Sequence, residues 1–489
     1  MLDMQKTLAL LAILYSCCCL VVAAKESRYE QMKKTLNKNS LSLINLIVDT
    51  LAINKANYVP GMIEITDYQR RTDPNAETTC YHCKVRIRGG MASTLDKKSF
   101  AVKLLDDSGK DMEVNVSGIR EENSWILDAM AVDRTRMRNR VCFDVWNEMS
   151  HTPYETKYEN RNGTKGVFVE VFINGDYNGL YCLTDKIDRK LLGLKKAKVN
   201  DNGEITVRGL LYKGYTWNGY TDIWLLSYTP ADTDKKEWNG WELQYPDEYP
   251  SIDTWQPLMD LIDFCSDSTT NETFIQSYQD FFYTENLADY AVFTMAMNVG
   301  DNAYKNTFLS VADITEGHRY MLSPWDMDGS LGNRWNGKYD ESLASIDRYN
   351  SIAPFNRLVV QNIDVFRDLL AKKWAEYHAS LFSPENIGRR LDDYAELFIV
   401  SGAWEREFSR WNGNPVPLKE NIADELEYVK NWYARNYKSL CTQFETVGIT
   451  NISSRQPENA IYGIDGRRVN GKHLTKGIYI VDNKKVFIK

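Results

Sequence analysis

An α+β fold is predicted for this chain of 489 residues by three observations. Residues from about 60 to 190 place apolar side chains at alternate positions, the period of strands. From about residue 256 onward the period becomes that of amphipathic helices. The two regimes follow one another instead of interleaving as βαβ units would. Apolar and charged fractions of 43% and 26% suit a chain that buries a real core. The net charge of −8 argues against a nucleic-acid groove or an anionic membrane surface as the main partner.

The first segment is read as a leader and not as part of the fold. "MLDMQKTLALLAILYSCCCLVVAA" sets Lys6 before an apolar run and ends on Ala23 and Ala24, the pattern of a signal peptide over residues 1–24. A retained anchor or a lipid-attached Cys17 are the alternatives. Three of the nine cysteines lie in this leader, leaving Cys80, Cys83, Cys142, Cys182, Cys265 and Cys441. The "CYHC" at 80–83 lacks the second pair that a structural zinc site needs, so a local disulfide or two free thiols is expected there.

Strands begin at "KVRIRGG" and "KKSFAVKL", where Phe100, Val102 and Leu104 alternate with Ser99, Ala101 and Lys103; the pair reads as a hairpin with a glycine-bearing loop. "DRTRMRNRVCFDVWNEMS" sets Met137, Val141, Val145 and Met149 on one helical stripe, with Asp133 placed to cap it. "GVFVEVFINGDYNGLYCLTDKI" is two strands about a turn at 174–176, completing an antiparallel sheet that carries one helix. Residues 208–255 are irregular and rich in aromatics, and are read as a connecting insertion. Helices follow in "WQPLMDLIDFCSD", "ENLADYAVFTMAMN", a long apolar stretch over 354–382, "PENIGRRLDDYAELFIV" and "NIADELEYVKNWYARNYKSL". The tail, 446–489, is strand-patterned and turn-rich, a small β module.

Chemistry concentrates inside the helical half, in "MNVGDNAYKNTFLSV" and "YMLSPWDMDGSLGNRW". Residues 307–311 and 319–324 read as two short strands between polar loops. If they pair as a hairpin, Asp301 and Asn306 from one loop and Asp326 and Asp328 from the other emerge on the same side. Such oxygen ligands suit Mg²⁺ or Ca²⁺. Asp326 and Asp328 would point apart in extended backbone, and Asp326 is the preferred ligand. An aspartate followed five positions later by an asparagine, with a later Asp near Gly, is the spacing of a protein-kinase catalytic loop and its second metal ligand. The customary His-Arg before the first Asp and the Phe of the second motif are absent: the chain has "NVGD" and "DMDG". Lys305, inside the first loop, is placed to neutralise a transferred phosphate. The phosphate side would come from Arg88, Gly89, Gly90 and Ser93 in the hairpin loop, with Lys98 or Lys103 behind it. Glu148 and Glu170 are the alternatives for holding that lysine.

"RIRGGMASTLDKKSFAVKL", "DRTRMRN", "VFVEVFINGDYNGLYCLTDKID", "DNAYKNTFL" and "PWDMDGSLG", in this order, resemble the spore-coat protein H (CotH) family of atypical kinases over roughly residues 60–360. The resemblance implies an atypical kinase-like two-part fold, here assigned to 25–445. It also implies ATP with Mg²⁺ or Mn²⁺, and phosphate transfer to Ser or Thr of proteins. It places the catalytic aspartate at Asp301 and metal ligands at Asn306 and Asp326, with Asp328 close by. The loop departs from the family's polar, serine-rich run, having Met91 and Ala92 before Ser93. In the tail, "IYGIDGRRV", "LTKGIYIV" and "KKVFIK" are similar to the carboxy-terminal sorting domains of the type IX secretion system, which implies passage to the outside or to the cell surface. A monomer is expected. Two competing classes are a kinase-like binding protein without turnover and, on the Trp-rich loops, a carbohydrate-active protein.

Overall fold

The computed structural model describes residues 26–66, 78–157, 160–215, 228, 233–303, 305–350 and 352–454, and the backbone of four strands in the tail. Residues 1–25, over which a signal peptide is expected, lie outside the described residues with most of 216–232. The α+β composition is as expected, but the strand-rich part is a closed barrel and not an open sheet. Strands β1 (Ser42–Val48), β2 (Val59–Thr66), β3 (Thr78–Arg88), β4 (Ser99–Leu105), β5 (Ser124–Asp128), β6 (Gly166–Ile173) and β7 (Asp176–Thr184) pair in the order β1-β2-β3-β4-β5-β7-β6. The expected hairpins are present, with Arg88 opposite Ser99 and Ile173 opposite Asp176. Closure comes from β1, an apolar run that escaped notice because it does not alternate. It pairs antiparallel with β2 and parallel with β6, so no edge remains open. Phe100, Val102 and Leu104 point into the barrel with Val85, Trp125 and Leu127.

Helix α1 (Arg28–Thr35) precedes the barrel, and α2 (Arg138–Met149) packs outside it. The predicted stripe of Met137, Val141, Val145 and Met149 is fully buried. Asp133 caps α2 from a loop that folds back: its carboxylate accepts from the Met137 and Arg138 amides at 2.8 and 2.7 Å.

The aromatic-rich segment is not an insertion. After a two-stranded ribbon, β8 (Lys198–Val199) and β9 (Ile205–Thr206), it supplies β10 (Leu210–Gly214), β11 (Glu237–Trp238) and β12 (Trp241–Tyr245). These join β13 (Thr307–Val311) and β14 (Met321–Pro324) in a sheet of order β11-β12-β10-β13-β14. Trp238, Trp241 and Trp255 are buried, so they pack the core and form no exposed sugar platform.

The helical half holds α3 (Ile252–Cys265), α4 (Asn271–Phe281), α5 (Thr284–Met297), α6 (Phe366–Tyr377), α7 (Pro384–Val400), α8 (Ala403–Trp411) and α9 (Ile422–Ser454). The stretch 354–382 is not one helix, because left-handed residues Asn362, Asp364 and Val365 interrupt it before α6. No helix among the described residues is long and apolar enough to cross a membrane. The tail strands β15 (Ile461–Gly463), β16 (Arg468–Val469), β17 (Gly477–Val481) and β18 (Lys484–Ile488) form one antiparallel sheet. The six cysteines among the described residues are free thiols; Cys80 is exposed and Cys83 buried on β3.

One buried charge network ties the helical half to the barrel. Lys97 donates to Glu407 of α8 and to the Leu180 carbonyl, both at 2.6 Å, and Arg136 Nε donates to the same Glu407 oxygen at 2.8 Å. Gly179 is required beneath it, since its φ is +127° and a Cβ would stand 2.7 Å from Glu407 Oε2. Burial pushes the Lys97 ammonium down to about 7, against the pull of Glu407 and with the push of Arg136. An unfolded lysine titrates near ~10.4. Between those values the unfolded chain binds more protons, so this residue makes stability rise with pH. Urea unfolding at pH 7 and pH 9 is expected to show the wild type gaining about 1–2 kcal/mol relative to Lys97→Met. A constant difference would contradict the assignment.

Candidate active site

β13 and β14 pair as the expected antiparallel hairpin. Thr307 at the start of β13 stands opposite Pro324 at the end of β14, so the loops before and after the hairpin leave it side by side. They are stitched together: Gly300 N donates to Gly329 O at 3.2 Å, and Trp325 N to Asn306 O at 2.8 Å. The buried Asn302 amide donates to the Asn306 and Trp325 carbonyls at 2.8 and 2.9 Å. Asn306 Nδ2 thereby comes within 3.4 Å of Asp326 Oδ2. Both residues are left-handed, each with φ +56°, a strain that Asn and Asp bear best and that sites commonly hold. Because Asp326 is not extended, the expectation that it and Asp328 point apart does not apply. Lys305 Nζ lies 3.0 Å from Asp301 Oδ2, across one turn of the loop.

The opposite wall is the outside of the barrel. Asp128, at the end of β5, accepts from Ser99 Oγ at 3.3 Å and from Asn139 Nδ2 at 3.1 Å. Asn139 in turn accepts from Met327 N at 3.1 Å, joining that wall to the "DMDG" loop. Arg88, the last residue of β3, sits 5.5 Å over the Trp325 ring. Between these groups lies a narrow recess lined by Arg88, Asp128, Asn139, Phe143, Trp325 and Asp326.

Like charges dominate the electrostatics. Asp326 reaches solvent at the mouth but is crowded by protein on its inner side. That crowding raises its carboxyl, Asp128 and Asp301 raise it further, and Arg88 and Lys213 pull it back. Asp328 is pushed well above the usual carboxylate range by burial and then by Asp326, Asp128, Asp133 and Asp301. The cations facing this group are Arg88, Lys213 and Lys305. Among the described residues no three His, Cys, Asp or Glu side chains are grouped so as to hold a metal ion alone. A hard cation would therefore need the Asn306 amide oxygen and ligand oxygens beside Asp326.

The phosphate side departs from expectation. Gly89 turns with φ +102°, and a Cβ on Gly90 would meet nothing within 4 Å. The loop nevertheless closes on itself, Ser93 Oγ donating to Gly90 O at 2.7 Å. Lys98 donates to Ser93 O at 3.0 Å, and Lys103 lies 5.4 Å over the Tyr58 ring, so neither reaches the carboxylates. The buried lysine of this hairpin is Lys97, one position away and just before β4, and it reaches Glu407 of α8. Glu148 and Glu170 hold no lysine either. Glu148 is on the exposed flank of α2 and pairs with Arg390 at 2.7 Å. Glu170 alternates with the inward-facing Val169 and Val171, so it faces α8 and takes Arg406 at 2.7 and 2.8 Å. Sequence reasoning missed Asp128, Asn139 and Lys213. Only Asn139 carried a signal, as the last residue of "DRTRMRN".

Comparison with known proteins adds one finding: the family model described as CotH kinase protein matches residues 85–440. Among the curated proteins none matches. The matched span contains both loops, the glycine hairpin and the helical half, and more than half of the chain, so the protein belongs to the CotH kinase family.

Proposed function

We propose that the protein is an atypical, kinase-like enzyme that transfers the terminal phosphate of ATP to serine or threonine hydroxyls of proteins. The observation that carries this reading is the meeting of Asn306 and Asp326, 3.4 Å apart, beside Asp301 and across from Arg88. Asp301 would orient the acceptor hydroxyl and take its proton, and Lys305 would offset the charge of the group being transferred. Asn306 and Asp326, with Asp328 behind, would hold the divalent cation. The chemistry that Mg²⁺, or Mn²⁺ or Ca²⁺ in its place, would supply there is positive charge against the phosphates. The site fits such an ion, because Asp326 and Asp328 lie in each other's field with Asp128 and Asp301 nearby, a repulsion that a cation relieves. Most of the rate gain would come from positioning and charge neutralisation.

The leader and the sorting-type tail support export, followed by release or display at the cell surface. On this reading 25–445 is the kinase-like domain, 446–489 addresses the secretion machinery, and the enzyme works as a monomer without nucleic acid. A binding protein that keeps the fold without turnover is favoured by a single observation, the engagement of Lys98 and Lys103 away from the recess.

Incubation with labelled ATP and Mg²⁺ or Mn²⁺ tests both readings. Wild type is expected to label itself or a generic acceptor. Asp301→Asn is expected to keep ATP affinity within about threefold and to lose transfer by about 10²–10⁴-fold. Nucleotide binding without transfer by the wild type would favour the second reading, and no nucleotide binding would end the first.

A further inference from the structure

We propose that Lys213 is a further nucleotide-binding residue, which together with Arg88 grips the terminal phosphates of ATP and takes the place expected of Lys98 or Lys103. The inference rests on the kinase reading and extends it to a residue outside the glycine hairpin.

Placement comes first. Lys213 lies on β10, between β12 and β13, and stands opposite Phe308 in the register. Its Nζ is 6.0 Å from the centre of the Phe308 ring. Phe308 meets Trp325 edge-on at 5.7 Å, and Arg88 covers Trp325 at 5.5 Å. The two cations thus flank one aromatic pair, on the strands whose ends carry Asn306 and Asp326. The next residue, Gly214, accepts from Asn306 N at 2.9 Å, so Lys213 is fixed relative to the candidate metal ligands.

The state of these charges comes second. Both residues are half-buried, and among the described residues neither the ammonium nor the guanidinium has a hydrogen bond or an ion pair. Lys213 is directly across the ladder from Glu242 and still does not pair with it. Burial and then the neighbouring Arg88 push the Lys213 ammonium below its usual range, the effect of two like charges held close together. Partly buried charges are ordinarily paired, and two unpaired cations flanking one aromatic pair beside Asp326 are relieved by an anion. A phosphate chain supplies several charged oxygens to a point-like ammonium and a forked guanidinium. Lys305, already on Asp301, marks the transferring end of that chain.

Calorimetry on the full chain with Mg²⁺-ATP and with AMP tests this. Lys213→Met is expected to weaken ATP by roughly tenfold or more and to leave AMP within about twofold, and Lys213→Arg to recover most of the ATP affinity. A merely structural role would weaken both nucleotides alike and would overturn the inference, as would ATP binding within about twofold of wild type. Should Lys213→Met not fold, Lys213→Gln is read by the same criteria. Wild type that binds no nucleotide removes the kinase reading as well, whereas wild type that binds ATP beside an indifferent Lys213→Met removes only the role of Lys213.

Discussion

Asp326→Asn is expected to lower phosphate transfer by about three orders of magnitude, ~4 kcal/mol of transition-state stabilisation, without lowering the melting temperature. The loss follows from position. Asp326 is the carboxylate beside Asn306 and stands at the open mouth of the recess, where a cation and phosphate oxygens have access. The unchanged or raised stability follows from charge, because Asp128 and Asp301 repel the Asp326 carboxylate and an amide removes that repulsion. Sites commonly sacrifice stability in this way. Asp328→Asn should cost less activity, since Asp328 lies deeper and its carbonyl is held by Asn333 at 2.9 Å. Transfer rates and thermal unfolding of the two variants decide the matter. If Asp326→Asn keeps transfer within tenfold of wild type, Asp326 is not the metal ligand proposed here.

Glu407→Gln is expected to destabilise the fold by about 3–5 kcal/mol, the cost of leaving buried charge without its partner. Glu407 is completely buried and takes Lys97, Arg136 and the Leu180 amide on its two oxygens. Lys97 can shed its proton when the carboxylate is gone, but Arg136 cannot. The Arg136 guanidinium keeps the Met130, Ala131 and Asp133 carbonyls, each at 2.8 Å, which soften the loss without cancelling the charge. The loop so held runs from Asp128 to the Asp133 cap of α2, so the wall of the recess should loosen with the core. Glu170→Gln is the comparison: Glu170 is also buried, but its partner Arg406 is about a quarter exposed and can turn to water, so the expected cost is smaller, about 1–3 kcal/mol. Urea midpoints measured together would refute the assignment if Glu407→Gln matched wild type.

Several elements were legible because their determinants are local. The β3–β4 and β6–β7 hairpins follow from alternation about a turn, and the α2 stripe from a period of 3.6. The five-residue step from Asp301 to Asn306 and the two short strands after it lie within thirty residues, so pairing alone brings their loops together. The family match over 85–440 spans the ordered blocks that carried the resemblance. The barrel was not legible, because β1 has no alternation and its parallel partner β6 lies more than a hundred residues away.

The sequence by itself determined the α+β order, the hairpin and the convergence of Asn306 with Asp326, since each depends on spacing along one short segment. Only the tertiary structure decided which charges gather around Asp326. It brought Asp128 from β5 and Lys213 from β10 beside Asp326, and turned Lys97, not Lys98, toward a buried carboxylate on a distant helix. One residue of strand register changes the face a side chain occupies, and a charge gives no sign along the chain of the neighbour that will meet it.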